Sequence, residues 1–401
     1  MYEHRIGETT VIVRDAAGRP RPDQVVTVRQ LRHAFSFGNI GFDFVELVGG
    51  PGDSSAGVES FGGAAGLDLE TLAEEFTTLF NTATLPFYWG GYEPRRGHPD
   101  RTRLTATARW LTERGVTVKG HPLVWHTVQP DWLLGLPAAE TERLLRERIR
   151  ELAGGFAGLI DTWDAINEAV IMPVFANGDN AITPLAWAKG RIAMVRLAFS
   201  EARAANPGAT LLINDFDLSS AYECLIEGVL EAGVRIDAIG LQTHMHQGYR
   251  GEEYMGRMLD RFARYGLPLH LTESTLVSGH LMPQEIEDLN DYQVPSWPST
   301  EEGEARQADE IVRHYRSLVA HPAVAAINYW GITDNGAWLG APVGLLRADG
   351  SRKPSYGALE SLIKGEWWLA PTEMRTDGTG AIRVRGFRGE YDVDGTPFTI
   401  A

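Results

Sequence analysis

The chain has 401 residues, 43% hydrophobic and 22% charged, with a formal net charge of −16 at pH 7. That length allows one large domain with a small appendage, and the acidic balance argues against nucleic acid or an anionic membrane as partner. The single cysteine, Cys224, excludes an internal disulfide framework, and its helical surroundings "SAYECLIEGVL" suit a small buried apolar residue.

The N-terminal stretch "MYEHRIGETTVIVRD" has no apolar core behind a basic start, so no signal peptide is expected, and no run of about 18 apolar residues suggests a membrane span. The expected location is cytoplasmic, or secreted if a leader has been removed. Further on, "ETTVIVRDAAGRPRPDQVVTVRQ" alternates apolar and polar residues around an Ala-Gly-Arg-Pro turn, a β pattern. The C-terminal stretch "GAIRVRGFRGEYDVDGTPFTI" repeats that alternation. Residues 1–32 and 370–401 are therefore expected to pair as one small β unit, since domain termini often lie close together.

Between them, residues 33–369 change rhythm. Short β-rich runs occur at "HAFSFGNI", "NTATLPF", "VTVKGHPLVW", "IDTWDAINE", "TLLINDF", "DAIGLQTHM", "LPLHLTES" and "AAINYWGI". Helical patterns such as "ETERLLRERIREL" and "PLAWAKGRIAMVRLAFSEARAA" separate most of them. Eight strand–helix units predict an α/β fold, a (β/α)₈ TIM barrel. A doubly wound open sheet would need a Gly-rich phosphate turn that is missing. Two long irregular stretches, residues 41–66 and 274–305, have the length of lids or binding loops and fall on the face where barrels keep their active sites.

The strand ends carry the chemistry. Lys119, Gly120, His121, Trp125 and His126 close the third strand, and Asn167 and Glu168 the fourth. Asn214 and Asp215 close the fifth, Gln242 and His244 the sixth, and Glu273 the seventh; the eighth leads to Trp330, Asp334 and Trp338. A barrel converges all of these on one rim. Two carboxylates across a cleft suit glycoside hydrolysis, in which one protonates the leaving oxygen while the other attacks or activates water. Tryptophans offer flat faces to sugar rings, and His121, Asn167, Gln242 and His244 can bind ring hydroxyls. The structural alternative for each strand-end glutamate is a salt-bridge partner.

The ordered motifs "GHPLVWH", "WDAINEA", "GLQTHMH", "LHLTES" and "WGITDNGAWL" resemble those of glycoside hydrolase family 10, the xylanase-type family of retaining (β/α)₈ enzymes. The resemblance covers about residues 33–365. It implies Glu168 as acid/base and Glu273 as nucleophile, Asn167 on the sugar 2-hydroxyl, and Gln242 with His244 beside the nucleophile. His121 and Trp125 would line the glycone site, with Trp330 and Trp338 closing over it. No cofactor or metal is implied, and the partner is an oligosaccharide, polysaccharide or glycoconjugate.

This chain departs from the family pattern in two places. After the second strand the family has Glu-Asn-x-Met-Lys-Trp, whose Asn and Lys hold the sugar just beyond the cleavage point; here stands "FNTATLPFYWGGYEP". Phe87, Tyr88 and Trp89 replace the polar anchors, with Tyr88 and Trp89 expected to line the sugar site. After the nucleophile, Ser274-Thr275 replaces Leu-Asp. A non-standard glycone specificity follows. The rival readings are a carbohydrate-binding protein on the same barrel and a metal-dependent hydrolase using His244 and His246, with His121 and His126 near. Elsewhere, Met245 is expected in the core, His33, His98 and His314 at surface or hinge positions, and the charges of "RLLRERIR" (residues 143–150) on a solvated helix face.

Overall fold

The computed structural model describes residues 2–52 and 66–401. Among them the strands are β1 (Ile6–Ile12), β2 (Val25–His33), β3 (Ser36–Ile40), β4 (Thr82–Pro86), β5 (Thr117–His121), β6 (Thr162–Asn167) and β7 (Thr210–Asp215), followed by β8 (Ala238–Met245), β9 (Leu269–Leu276), β10 (Val324–Tyr329), β11 (Thr372–Arg375), β12 (Ala381–Phe387), β13 (Gly389–Val393) and β14 (Thr396–Ile400). β3 to β10 close into a parallel barrel in chain order, with β10 returning to β3. This is the (β/α)₈ barrel, and each of the eight sequence-read runs supplies one strand. Of the Gly-rich stretch 41–66, the first part forms a helix, Asp43–Gly49; residues 53–65 lie outside the described residues.

Local sequence explains the packing of the layers. In the helix Ala138–Gly155, Leu145, Ile149 and Leu152 recur at helical spacing and are fully buried against the barrel, each contributing roughly 1.5–3 kcal/mol of apolar burial. Gly120 is required by its neighbour: a Cβ there would lie 2.1 Å from the ring of Trp163, which packs against Phe87 and Phe156. The run "PLAWAKGRIAMVRLAFSEARAA" is not one helix. Gly190, at φ 82°, breaks it into Ile182–Lys189 and Arg191–Ala205, a left-handed turn that glycine adopts without strain.

The chain ends meet under the barrel. β1 pairs antiparallel with β12, and β2 lies between β11 and β13 in a four-stranded sheet. Their alternating residues Val26, Val28, Ile382, Val384, Tyr391 and Val393 form a separate small core. Arg5 ties this unit to the barrel base by donating to the carbonyls of Val319, His321 and Val324 at 3.0, 2.8 and 2.5 Å. No helix among the described residues is long and apolar enough to cross a membrane.

Four sequence expectations need correcting. Cys224 is exposed, because Tyr222, Leu225, Ile226 and Val229 form the buried stripe of its helix. His33 is buried, held by Gln30 and the Ile363 carbonyl at 3.2 and 2.9 Å, and burial lowers its pKa to about 4. His314 is buried as well, and burial lowers its pKa to about 3. Arg148 is not part of a solvated face: its guanidinium is buried and donates to the Phe87 and Leu123 carbonyls where β4 and β5 end. Met245 is in the core and His98 is exposed, as expected.

Candidate active site

Glu168 follows β6 at φ 57°, a conformation that costs a non-glycine residue energy and is retained where the surroundings enforce it. Its N–H donates to the Asn214 carbonyl at 2.8 Å. Trp125 Nε1 donates to Glu168 Oε2 at 2.8 Å, and Asn167 Nδ2 and Gln242 Nε2 reach Oε1 at 3.2 and 3.4 Å. Burial raises the Glu168 pKa to about 8; the Trp125 hydrogen bond opposes this, while the charges of Glu273 and Asp215 add to it. Asp215 is itself pushed up to about 7 by burial.

Glu273, inside β9, has different surroundings. Asn214 Nδ2 donates to its Oε1 and His244 Nε2 to its Oε2, both at 3.0 Å, and His121 Nε2 stands 3.8 Å from Oε1. Amides connect the two carboxylates. Asn167 Oδ1 accepts from Asn214 at 2.7 Å and from Gln242 at 3.0 Å, so both glutamates and all three amides sit in one network. Beneath it, buried Asp164 accepts from Lys119 and from His121 Nδ1, each at 2.7 Å. Burial alone would raise the Asp164 pKa, but the Lys119 charge and the His121 hydrogen bond hold it below the usual carboxylate range. His121 is thereby oriented with Nε2 toward Glu273.

Aromatic rings surround this network. Trp330 lies 5.3 Å from the His121 ring, and Trp338 lies 5.0 Å from His244. Tyr88 packs edge-on to His121 at 5.5 Å and tilted to Trp125 at 5.4 Å. Phe42, which the motifs did not single out, touches both Tyr88 and Trp330, and with Ile40 they form one apolar cluster.

Trp89 does not join them. It begins a short helix, Trp89–Tyr92, where its ring meets Trp132 at 5.9 Å and the Arg148 guanidinium at 5.2 Å, and its N–H goes to Glu93. Phe87 is core, against Trp163 and Phe156. Of Phe87, Tyr88 and Trp89, only Tyr88 faces the carboxylates. Asp334 also turns away, bound to Lys353 at 2.6 Å.

The remaining expected site residues, His121, Trp125, Asn167, Gln242, His244, Trp330 and Trp338, come together around Glu168 and Glu273. Sequence reasoning gave no role to Asn214, the bridge between them, or to Asp164. The only signal was position: both lie on barrel strands and carry polar groups inside a core. His244 and His246 do not converge as ligands. Their rings are 5.8 Å apart, His244 is engaged with Glu273, and among the described residues no group of three or more His, Cys, Asp or Glu is arranged to hold a metal.

A closed parallel barrel with two carboxylates among tryptophans at its mouth defines the class of a glycoside hydrolase. The model of glycosyl hydrolase family 10 matches residues 68–361, and the chain belongs to that family. It is 27% identical over 316 residues to "Endo-1,4-beta-xylanase B" of Thermotoga neapolitana, covering 74% of this chain and 83% of the relative. To "Beta-1,4-xylanase" of Dictyoglomus thermophilum it is 27% identical over 237 residues, 57% of this chain and 63% of that relative. Among solved structures, xylanase 10B from Thermotoga petrophila RKU-1 in complex with xylobiose shares the fold with a TM-score of 0.64 at 23% identity, over 83% of this chain and 95% of that one.

Proposed function

We propose that the protein hydrolyses β-glycosidic bonds with retention of configuration, Glu273 acting as nucleophile and Glu168 as acid/base. The observation that supports this best is the contrast between the two carboxyls: they face one mouth, but Glu168 is held protonated near neutral pH while Glu273 accepts two N–H donors that fix its direction. In the first step a Glu273 oxygen bonds to the anomeric carbon. The glycosidic C–O bond breaks, and the leaving oxygen takes the Glu168 proton. In the second, Glu168 takes a proton from water, whose oxygen displaces Glu273 from the same carbon. Asn167 Nδ2 has a second N–H free of Glu168, suited to the sugar 2-hydroxyl.

Loss of the Glu168 proton then sets the alkaline limb of kcat/KM, near pH 8 in the free enzyme. The Trp125 N–H favours the ionised carboxylate, so removing it in Trp125→Phe should shift that limb to higher pH. A pH–rate profile on an unactivated substrate checks this; a limb moving to lower pH would contradict the assignment.

Glycone recognition is rebuilt around Tyr88. Two polar anchors of the family pattern are replaced, each worth roughly 1–3 kcal/mol where its hydroxyl partner is left unpaired. Weak or no cleavage of unsubstituted xylan is expected, with measurable hydrolysis of another β-linked substrate whose glycone fits against an aromatic wall. Tyr88→Ala should lower kcat/KM on that substrate about tenfold or more, chiefly through KM. Trp89, turned toward Arg148, should matter little for specificity. Reducing-sugar assays decide the point: vigorous xylan cleavage unchanged in Tyr88→Ala would overturn this reading.

A further inference from the structure

The long segment after β9 has no part in the chemistry above, yet its course is well defined. Ser278 N–H donates to the Pro342 carbonyl at 2.8 Å, and Val277, Met282 and Trp297 pack with Ala341 and Val343 of the loop after β10. The segment then crosses the end of β8, where Met282 N–H meets the His246 carbonyl at 3.0 Å and Gln247 Nε2 donates to the Pro283 and Ile286 carbonyls at 2.9 and 2.8 Å. Finally it reaches the loop after β6: Asn177 Nδ2 donates to Asp288 Oδ2 at 2.8 Å.

Barrel order gives this path its meaning. Glu168 follows β6 and Glu273 lies in β9, three strands apart in a ring of eight. A cleft running between them therefore opens toward β7 and β8 on one side and toward β3 and β4 on the other. The segment spans the first opening from the β10 loop to the β6 loop. The second opening carries the buried cluster of Ile40, Phe42, Tyr88 and Trp330. Both ends of the cleft are built up.

We infer that the site is a pocket rather than a through-groove, and that its substrates are short β-glycosides, with a leaving group of one or two sugar units or a small aglycone, rather than the interior of a polymer. This rests on the Glu168–Glu273 reading. Asn177–Asp288 is an exposed hydrogen bond, too weak to be a lock, but it marks where the loops after β6 and β9 meet. Placing a second carboxylate there should part them.

The test uses 1,4-β-xylo- and cello-oligosaccharides of two to six units, labelled at the reducing end, beside aryl β-glycosides. The wild-type kcat/KM should stop rising by the trimer. Asn177→Asp should raise the hexamer-to-dimer ratio about threefold with aryl-glycoside turnover unchanged, and the exchange Asn177→Asp/Asp288→Asn should restore the original ratio. A wild-type kcat/KM that climbs steadily to the hexamer with internal cuts, or a ratio unmoved in Asn177→Asp, would overturn the inference. Absence of wild-type aryl-glycoside turnover would instead contradict the catalytic reading on which it rests.

Discussion

Glu273→Ala is expected to lower turnover by on the order of 10⁵-fold on every substrate, as removal of a covalent nucleophile does in other enzymes. Azide should restore part of the activity. The truncated side chain leaves room on the face from which Glu273 attacked, so azide bonds to the anomeric carbon from that face and the product is an α-glycosyl azide. Asn214 and His244 donate to the Glu273 carboxylate and remain to receive the anion. Assay of activated and unactivated glycosides with and without azide, and anomeric analysis of the product, check this. Near wild-type activity in Glu273→Ala would refute the nucleophile assignment.

Glu168→Ala should behave differently. General acid catalysis contributes roughly 10²–10⁴-fold, and that help matters most when the leaving oxygen is strongly basic. Unactivated glycosides should lose the full factor. Aryl glycosides with good leaving groups should keep most of their first-step rate and accumulate the glycosyl-enzyme, because the base of the second step is gone. Azide, needing no base, should then release a β-glycosyl azide. Burst kinetics on an activated aryl glycoside report the accumulation directly; equal loss on activated and unactivated substrates would contradict the role. The mouth supplies the physical reason for the division of labour. Burial and the nearby charges of Glu273 and Asp215 keep the proton on Glu168, and once Glu273 is esterified its charge no longer does so, which eases the switch from acid to base.

Much of this was legible in the sequence because strand ends in a barrel are forced onto one rim. "WDAINEA" and "LHLTES" each read as an apolar run terminating in a glutamate, and the fold turns both into the same mouth. What escaped was set by helix phase rather than composition. Arg148 is three residues beyond Leu145 and four before Leu152, on the buried stripe, so its charge misled where its spacing did not. His314 stands in the same relation to Ile311 and Leu318. Cys224 falls off the stripe of Tyr222, Leu225 and Ile226 and so reaches solvent. Tyr88 and Trp89 are adjacent in sequence but part because a helix starts between them, sending one ring to His121 and the other to Arg148. The bridge through Asn214 was not legible: a lone amide at a strand end has no chemistry until its neighbours across β6 and β9 are known.

The central claim, that Glu273 forms a covalent bond to the sugar, has a direct measurement. The protein is incubated with a 2-deoxy-2-fluoro β-glycoside bearing a dinitrophenyl leaving group, its glycone chosen from the aryl glycosides that are turned over. The fluorine slows both steps, the good leaving group lets the first proceed, and the intermediate persists for peptide mass spectrometry. Stoichiometric inactivation is expected, with one glycosyl mass added to the peptide containing "LHLTES", on Glu273. Dinitrophenol release without a covalent adduct, or an adduct on Glu168, would contradict it.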